Sequence, residues 1–150
     1  REVQRAVSLQ IGAVRLKDRF GLDRKTAEKE LDALFTDQRS VFEIWQDAPL
    51  LGIGGTVTTL AAMEQRMAVY DPQRINGFDL TRERVSAWVD ELWPLPAEWR
   101  VYPGLQSQRA DIIAHGVLIL ERCLTVLDRP KVCVCTGDNL KGYLAYKGVE

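Results

Sequence analysis

The sequence predicts an α/β fold in which a parallel or mixed sheet is covered by helices. Two observations support this prediction. Short apolar or β-branched runs alternate along the chain with longer segments whose apolar residues recur at helical spacing. Strands separated by helices in this way are typical of α/β domains. The chain also has 150 residues, 46% of them apolar, which is the usual size of one domain and enough for one core.

The first half of the chain predicts a strand and two helices, followed by a second strand. Residues 3–9 are predicted to form a short strand that Gly12 ends, and residues 13–20 a short helix. Asp23 is a plausible N-cap for a longer helix, because its carboxylate can accept hydrogen bonds from free amides of the first turn. The apolar run over 49–53, bounded by a proline and a glycine pair, is predicted to be a short strand.

The second half predicts three helices, a loop, a strand and a final helical turn. Periodicity, capping residues and turn residues set the boundaries. The predicted elements are a helix over 56–67, a turn-rich loop over 70–79, a helix that Thr81 caps and that runs to about residue 92, the longest helix over 106–127, a strand over 131–136 and a helical turn over 140–146.

Composition and charge exclude several classes of protein. The formal charge of −1 gives no long-range attraction to nucleic acid or to an anionic membrane, so neither is predicted as a partner. No apolar run approaches the roughly 20 residues of a membrane helix. Three cysteines argue against a disulfide framework and for a reducing compartment, with the cytoplasm as the default. The first residues form no secretory signal and include no initiator Met, so we expect the chain to begin within a longer protein.

The sharpest local feature is the Gly54-Gly55-Thr56 sequence between an apolar strand and a predicted helix. Glycines allow a ligand to approach the backbone closely and tolerate angles that other residues resist. A helix start presents unpaired N–H groups and about half a positive charge. Together these properties favour an anion, most often phosphate.

A plainer interpretation of the same residues stays open. Gly54 and Gly55 would equally serve a tight turn between strand and helix, with Thr56 as an ordinary cap. The segment is neither a Walker loop nor a dinucleotide-binding fingerprint, because the spaced glycines and the lysine of those motifs are absent.

Arg109, in the first turns of the longest predicted helix, is a second candidate. Its planar guanidinium could grip a phosphate through two parallel hydrogen bonds. The alternative is an exposed ion pair with Asp111 near a helix start, which would contribute little to stability.

Other reactive residues are better explained by packing. His115 is the only histidine and has no orienting neighbour of the kind that a general base needs. Cys133 and Cys135 alternate on a predicted strand, but a metal site would require two further ligands at suitable spacing. No Ser-His-Asp set or cluster of carboxylates can be identified in the sequence.

Taken in order, four stretches of the sequence resemble the Ppx/GppA family of exopolyphosphatases and guanosine pentaphosphate phosphohydrolases. They include the Gly-Gly-Thr sequence and the Arg-Ala-Asp sequence, and they span nearly the whole chain. The stretches are residues 7–16, 54–63, 70–77 and 104–113.

This resemblance implies a ribonuclease-H-like half-domain of the actin-like ATPase superfamily, with a mixed sheet flanked by helices. Proteins of that superfamily pair two such domains around a phosphate-binding cleft. Residues 1–150 are similar to the second domain only, so they would form a single domain, the C-terminal half of a two-domain phosphatase. The family's catalytic glutamate and first phosphate loop belong to the upstream domain, which is not included here.

The resemblance also implies a reaction and a set of binding residues. Family members release terminal phosphate from polyphosphate or from guanosine pentaphosphate, with a divalent cation, Mg²⁺, held mainly by the missing domain and the substrate. The implied partners are therefore polyphosphate or a guanosine penta- or tetraphosphate, and the upstream domain. The phosphate-binding candidates are Gly54, Gly55 and Thr56, Arg109 with Asp111 holding its guanidinium, and secondarily Gly12 and Arg15.

None of these residues is expected to be catalytic, so the isolated chain is expected to be inactive. Two alternatives to the hydrolase remain open at this stage. One is a domain of a related sugar or acyl kinase, and the other is a non-catalytic module that senses a nucleotide. The missing upstream domain would leave an apolar face exposed, which favours a homodimer as a further possibility.

Overall fold

The fold consists of a small mixed sheet packed against helices, as seen in a computed structural model that describes residues 3–148. The helices are α1 (Ala13–Phe20), α2 (Arg24–Phe42), α3 (Gly55–Glu64), α4 (Pro72–Ile75), α5 (Arg82–Leu92), α6 (Ile113–Val126) and α7 (Asn139–Tyr146). The strands are β1 (Leu51–Ile53), β2 (Asp79–Thr81) and β3 (Lys131–Cys135). Three short 3₁₀ turns lie at Glu43–Trp45, Ala97–Trp99 and Ser107–Arg109.

The three strands form a mixed sheet in the order β1-β3-β2. β1 runs parallel to β3, with Leu51 opposite Cys133, and β2 runs antiparallel to β3, with Leu80 opposite Val132. A parallel pair requires a long crossover connection, and the chain between β1 and β3 supplies it with helices. The predicted α/β class, with a mixed sheet flanked by helices, is confirmed.

One face of the sheet and the inner faces of the helices enclose the core. Alternate residues of β3, Val132 and Val134, are fully buried, whereas Cys133 and Cys135 on the other face are partly exposed. The helices add a continuous set of buried apolar side chains, the largest of which include Leu31, Leu60, Met63, Val85, Val89, Leu92, Leu118 and Leu124. Burial of this apolar surface is the main stabilising contribution to the fold.

Local sequence signals place several helix starts correctly. The carboxylate of Asp23 accepts a hydrogen bond from the Thr26 amide, and the hydroxyl of Thr81 accepts one from the Arg84 amide. Both residues were predicted as N-caps from the sequence, and both are confirmed. Such a cap stabilises a helix by about 1 kcal/mol.

Three predicted elements differ most from the structure. Residues 3–9 form no strand, because no strand lies beside them with which they could pair. In the described part of the chain, the sheet contains only β1, β3 and β2. Residues 70–79, predicted as a loop, contain α4 and the first residue of β2. The longest helix begins at Ile113 rather than at residue 106, because a 3₁₀ turn occupies the segment before it.

Two glycines allow α3 to pack tightly against its neighbours. A Cβ atom at Gly116 of α6 would lie 2.5 Å from the hydroxyl oxygen of Thr56, and one at Gly104 would lie 2.6 Å from the carbonyl oxygen of Ala62. Both distances are too short for a Cβ atom. α3 is therefore held directly against α6 and against the loop before α6. Within residues 3–148, no helix is long and apolar enough to cross a membrane.

Candidate phosphate-binding site

The start of α3 is an exposed helix N-terminus without a side-chain cap. Gly54, the N-cap residue, has φ 108°, a left-handed conformation that favours glycine, and it follows β1 directly. The first helical hydrogen bond runs from the Thr58 amide to the Gly54 carbonyl oxygen, at 3.2 Å. The amides of Gly55, Thr56 and Val57 therefore have no acceptor within the helix, and both glycines are exposed.

The guanidinium of Arg109 lies against this helix start. A Cβ atom added to Gly55 would overlap Nη1 of Arg109 and lie 3.0 Å from its Cζ. Nη1 also donates a hydrogen bond to the buried hydroxyl of Thr59, one turn further along α3, at 3.1 Å. Glycine at position 55 therefore leaves room for the guanidinium, since a side chain there would displace the arginine.

The electrostatics of this contact are unfavourable unless an anion is present. A helix N-terminus carries about half a positive charge, and cations are destabilised beside it. Arg109 adds a full positive charge at that end of α3, yet it forms no ion pair with any residue in the 3–148 range. The arrangement lacks a negative charge that a bound phosphate would supply.

Arg109 is placed by a 3₁₀ turn and not by a helix. The turn Ser107–Arg109 precedes α6, with residues 110–112 between them. Arg100, which is 5% exposed, donates hydrogen bonds to the carbonyl oxygens of Ala110 at 2.7 Å and of Asp111 at 3.4 Å. Arg100 was not identified from the sequence, because a buried arginine with backbone acceptors leaves no local pattern.

Asp111 does not hold the guanidinium of Arg109, which corrects the prediction made for it. Its carboxylate instead accepts a hydrogen bond from Nζ of Lys17 in α1, at 2.8 Å. That bond lowers the pKa of Asp111 below its ordinary value, with burial acting in the opposite direction. The hydroxyl of Thr59, rather than the carboxylate of Asp111, accepts the hydrogen bond from Arg109.

The remaining candidates are split between the helix start and a separate region. Thr56 lies in the first turn of α3, but its side chain packs on Gly116, so only its amide faces the site. Gly12 is the N-cap of α1, and Arg15 donates a hydrogen bond to Gln10 at 2.6 Å beside a groove between α1 and α2. The structure records no contact of Gly12 or Arg15 with Gly55 or Arg109 among the described residues.

A small cavity of about 110 Å³ adjoins the guanidinium. Most of its lining residues carry polar side chains that can donate hydrogen bonds to an oxyanion. They are Thr58, Thr59, Tyr70, Gln106 and Arg109, with Gly104 completing the wall. Tyr70 and Gln106 were not singled out from the sequence as ligand contacts, and they become candidates only through this geometry.

His115 and Cys123 have packing roles. His115 is 2% exposed, and its Nε2 donates to the Gly21 carbonyl oxygen at 2.7 Å, while its ring lies 4.9 Å from that of Trp93. Burial lowers the pKa of His115, so the ring is neutral in the folded chain near pH 7. Burial raises the pKa of the Cys123 thiol to about 11, which makes it a poor nucleophile.

The described residues do not form a metal site. No three His, Cys, Asp or Glu side chains lie close enough together to hold a metal ion anywhere in residues 3–148. The carboxylate nearest in sequence to Arg109, that of Asp111, is already paired with Lys17. The resemblance implies that Mg²⁺ is held mainly by the upstream domain and the substrate, so its binding stays a prediction.

Solved structures with the same fold include a Ppx/GppA phosphatase and an exopolyphosphatase. A Ppx/GppA phosphatase of Aquifex aeolicus superimposes with a TM-score of 0.86 at 27% identity, over 97% of this chain and 50% of that one. An exopolyphosphatase from Cytophaga hutchinsonii superimposes with a TM-score of 0.79 over 99% of this chain and 52% of that one, and at 22% identity it shows the fold alone. This chain thus spans about half the length of these structures.

A curated relative and a family model add sequence-level similarity. The chain is 28% identical over 156 residues to a bifunctional 3-dehydroquinate synthase/phosphatase of Fusobacterium nucleatum, covering 99% of this chain but only 23% of that protein. The model of the Ppx/GppA phosphatase family matches residues 1–144. The predicted resemblance is confirmed, and the chain belongs to the Ppx/GppA phosphatase family.

Proposed function

We propose that this chain is the phosphate-binding half of a hydrolase that releases terminal phosphate from polyphosphate or from guanosine pentaphosphate. Family membership supports a phosphatase in general, and the site supports binding of a chain of phosphates. The reaction is phosphoryl transfer to water, in which catalysis consists mostly of positioning the substrate and neutralising its charge. This chain contributes to both, and the catalytic base lies in the other half of the full-length protein.

The observation that carries the proposal is the unpaired guanidinium of Arg109 against the uncapped start of α3. Two positive groups are held together there, and no carboxylate of residues 3–148 is paired with them. The hydrogen bond from Arg109 to Thr59 fixes the direction of the guanidinium but does not neutralise its charge. A phosphate oxygen at this point would bind the arginine and the free amides of Gly55 and Thr56 at once.

The contribution of each group can be placed in order. A hydrogen bond from a guanidinium to a charged oxygen contributes about 1.5–3 kcal/mol, more than a typical neutral hydrogen bond. The helix start contributes about 0.3–1 kcal/mol where it is exposed, as it is at Gly54 and Gly55. Arg109 is therefore expected to account for most of the affinity. The two glycines are expected to let the phosphate approach the backbone closely.

The test is a calorimetric titration of the chain with tripolyphosphate at low ionic strength. The unmodified chain should bind, and Arg109→Ala should weaken binding about tenfold or more, because a charge-assisted hydrogen bond is lost. Arg39→Ala is the matched control, since Arg39 is an exposed helical arginine in α2 and its removal changes the net charge equally. Equal affinities of Arg109→Ala and Arg39→Ala would contradict the proposal.

A second assay tests whether this chain can hydrolyse polyphosphate without the other half of the protein. The purified chain, incubated with long-chain polyphosphate and Mg²⁺, is expected to release no phosphate above the rate of a blank. Steady turnover by the chain alone would show that it carries its own catalytic base. Tight binding of guanosine tetraphosphate without binding of tripolyphosphate would instead favour a nucleotide-sensing module.

A further inference from the structure

Arg100 is a deeply buried arginine that bridges two elements. It follows the 3₁₀ turn Ala97–Trp99, and only 5% of it is exposed. Its Nε donates to the carbonyl oxygen of Leu92, at the last residue of α5, at 3.1 Å. Its Nη1 donates to Ala110 and Asp111, directly after the turn that carries Arg109.

Burial of this guanidinium is costly, which indicates a specific requirement for it. Burial lowers the pKa of Arg100 from its ordinary value, even though the charge of Asp111 acts in the opposite direction. Arg100 forms no ion pair with a carboxylate in the described chain, and its recorded acceptors are backbone carbonyl oxygens. A hydrophobic side chain would fill the same space without the cost of burying a charge.

The carbonyl groups that Arg100 binds lie just before the start of α6. In a longer α6, the Ala110 carbonyl oxygen would accept a hydrogen bond from an amide one turn ahead. Here it is engaged by Arg100, and α6 starts only at Ile113. Arg109 lies in the 3₁₀ turn before this point, from which its side chain reaches Gly55 and Thr59.

We propose that Arg100 is a positioning residue for the phosphate-binding arginine, acting through the backbone of Ala110 and Asp111. The proposal rests on the proposed function of Arg109 and adds a residue that never touches the ligand. Loss of the bridge releases the 3₁₀ turn, and the guanidinium of Arg109 then spends less time against the start of α3. Affinity for a phosphate chain falls although the charge of the site is unchanged.

The experiment is a double-mutant cycle on the chain, with tripolyphosphate as the probe and binding and thermal unfolding as the two readouts. Arg100→Lys keeps the positive charge, but its single ammonium group cannot reproduce the forked contacts to both elements. On the unmodified background it should lower affinity about threefold to tenfold, a range that corresponds to loss of roughly one hydrogen bond. On the Arg109→Ala background it should leave the residual affinity unchanged, while lowering the melting temperature equally in both.

A stability control separates positioning from general destabilisation. Val85→Ala removes a fully buried side chain from α5, so it should lower the melting temperature without changing affinity. If Arg100→Lys and Val85→Ala weaken binding alike, or if Arg100→Lys lowers affinity as much without Arg109 as with it, the positioning role is wrong and the proposed function still stands. If Arg109→Ala itself binds like the unmodified chain, the proposed function fails first.

Discussion

The guanidinium of Arg109 lies where a side chain at position 55 would be, and Gly55 leaves room for it. The two residues are far apart in the sequence, and they meet because α3 and the turn before α6 pack side by side. The contact brings a cation to the positive end of a helix, where no carboxylate of residues 3–148 is paired with it.

Substitution of Gly55 should disturb the site without disturbing the fold. In Gly55→Ala the new methyl group would overlap Nη1 of Arg109, so the flexible arginine must move away from the helix start. We expect the affinity for tripolyphosphate to fall about tenfold, as for loss of the arginine contact. Isothermal titration calorimetry measures this change directly.

Gly142→Ala provides the matched control for that substitution. Gly142 lies in α7, and a Cβ atom there meets no neighbour within 4 Å. Alanine favours a helix over glycine, so this variant should bind like the unmodified chain and be equally stable or slightly more so. An affinity loss in both variants would mean that the effect at Gly55 is not local.

The hydroxyl of Thr59 is predicted to orient Arg109. Thr59→Val keeps the shape of the side chain but removes the acceptor for Nη1 of Arg109. The guanidinium would then sample more orientations, and the affinity should fall about threefold to tenfold, as for a single hydrogen bond. Thr125→Val is the control, because it removes a hydroxyl that bonds Glu121 in α6, away from this contact. Unchanged affinity in Thr59→Val would remove Thr59 from the site.

Acidification should destabilise the chain through its single histidine. Burial, the largest effect, lowers the pKa of His115 below its ordinary value of 6.5, although the hydrogen bond to the Gly21 carbonyl oxygen acts in the opposite direction. The unfolded chain therefore takes up a proton on this ring at a higher pH than the folded chain. Stability is present in full above pH 6.5 and falls as the pH drops from there through the folded pKa, with a slope of up to about 1.4 kcal/mol per pH unit.

Urea unfolding at several pH values between 5 and 7 measures that slope. Nδ1 of His115 is buried without a hydrogen-bond partner among the described residues, so a proton added there would find no acceptor. His115→Phe removes the titrating group and should flatten the profile in this window, even if it lowers stability overall. An equally steep decline in His115→Phe would assign the pH dependence to other groups.

Local signals predicted much of the fold, and long-range contacts decided the rest. Asp23 and Thr81 act as caps through neighbours only three residues away, so their roles are readable from the sequence. β2 has three residues and is defined only by its pairing with β3, some 50 residues later. Residues 3–9 have strand-like composition, but a strand needs a partner, and the described chain provides none.

Individual residues of the candidate site were predictable from the sequence, but the contacts between them were not. The Gly54-Gly55 pair and Arg109 were identified from the sequence, since exposed glycines at a strand end and an arginine at a helix start have chemical signatures. The pairing of Asp111 with Lys17 bridges 94 residues, so no spacing rule could separate it from a contact with Arg109. Arg100 was missed for a related reason, because its acceptors are carbonyl groups of three other positions.

The most direct test of the central claim is the response of individual backbone amides to a phosphate chain. In ¹H–¹⁵N correlation spectra of the chain, added tripolyphosphate should shift the amide signals of Gly55 and Thr56 progressively and to saturation. The start of α5 serves as the internal control, because the Thr81 hydroxyl already caps it and its amides should not respond. Saturable shifts at α3 that disappear in Arg109→Ala are the predicted result, whereas unmoved Gly55 and Thr56 signals, or equal shifts at α5, would contradict the account.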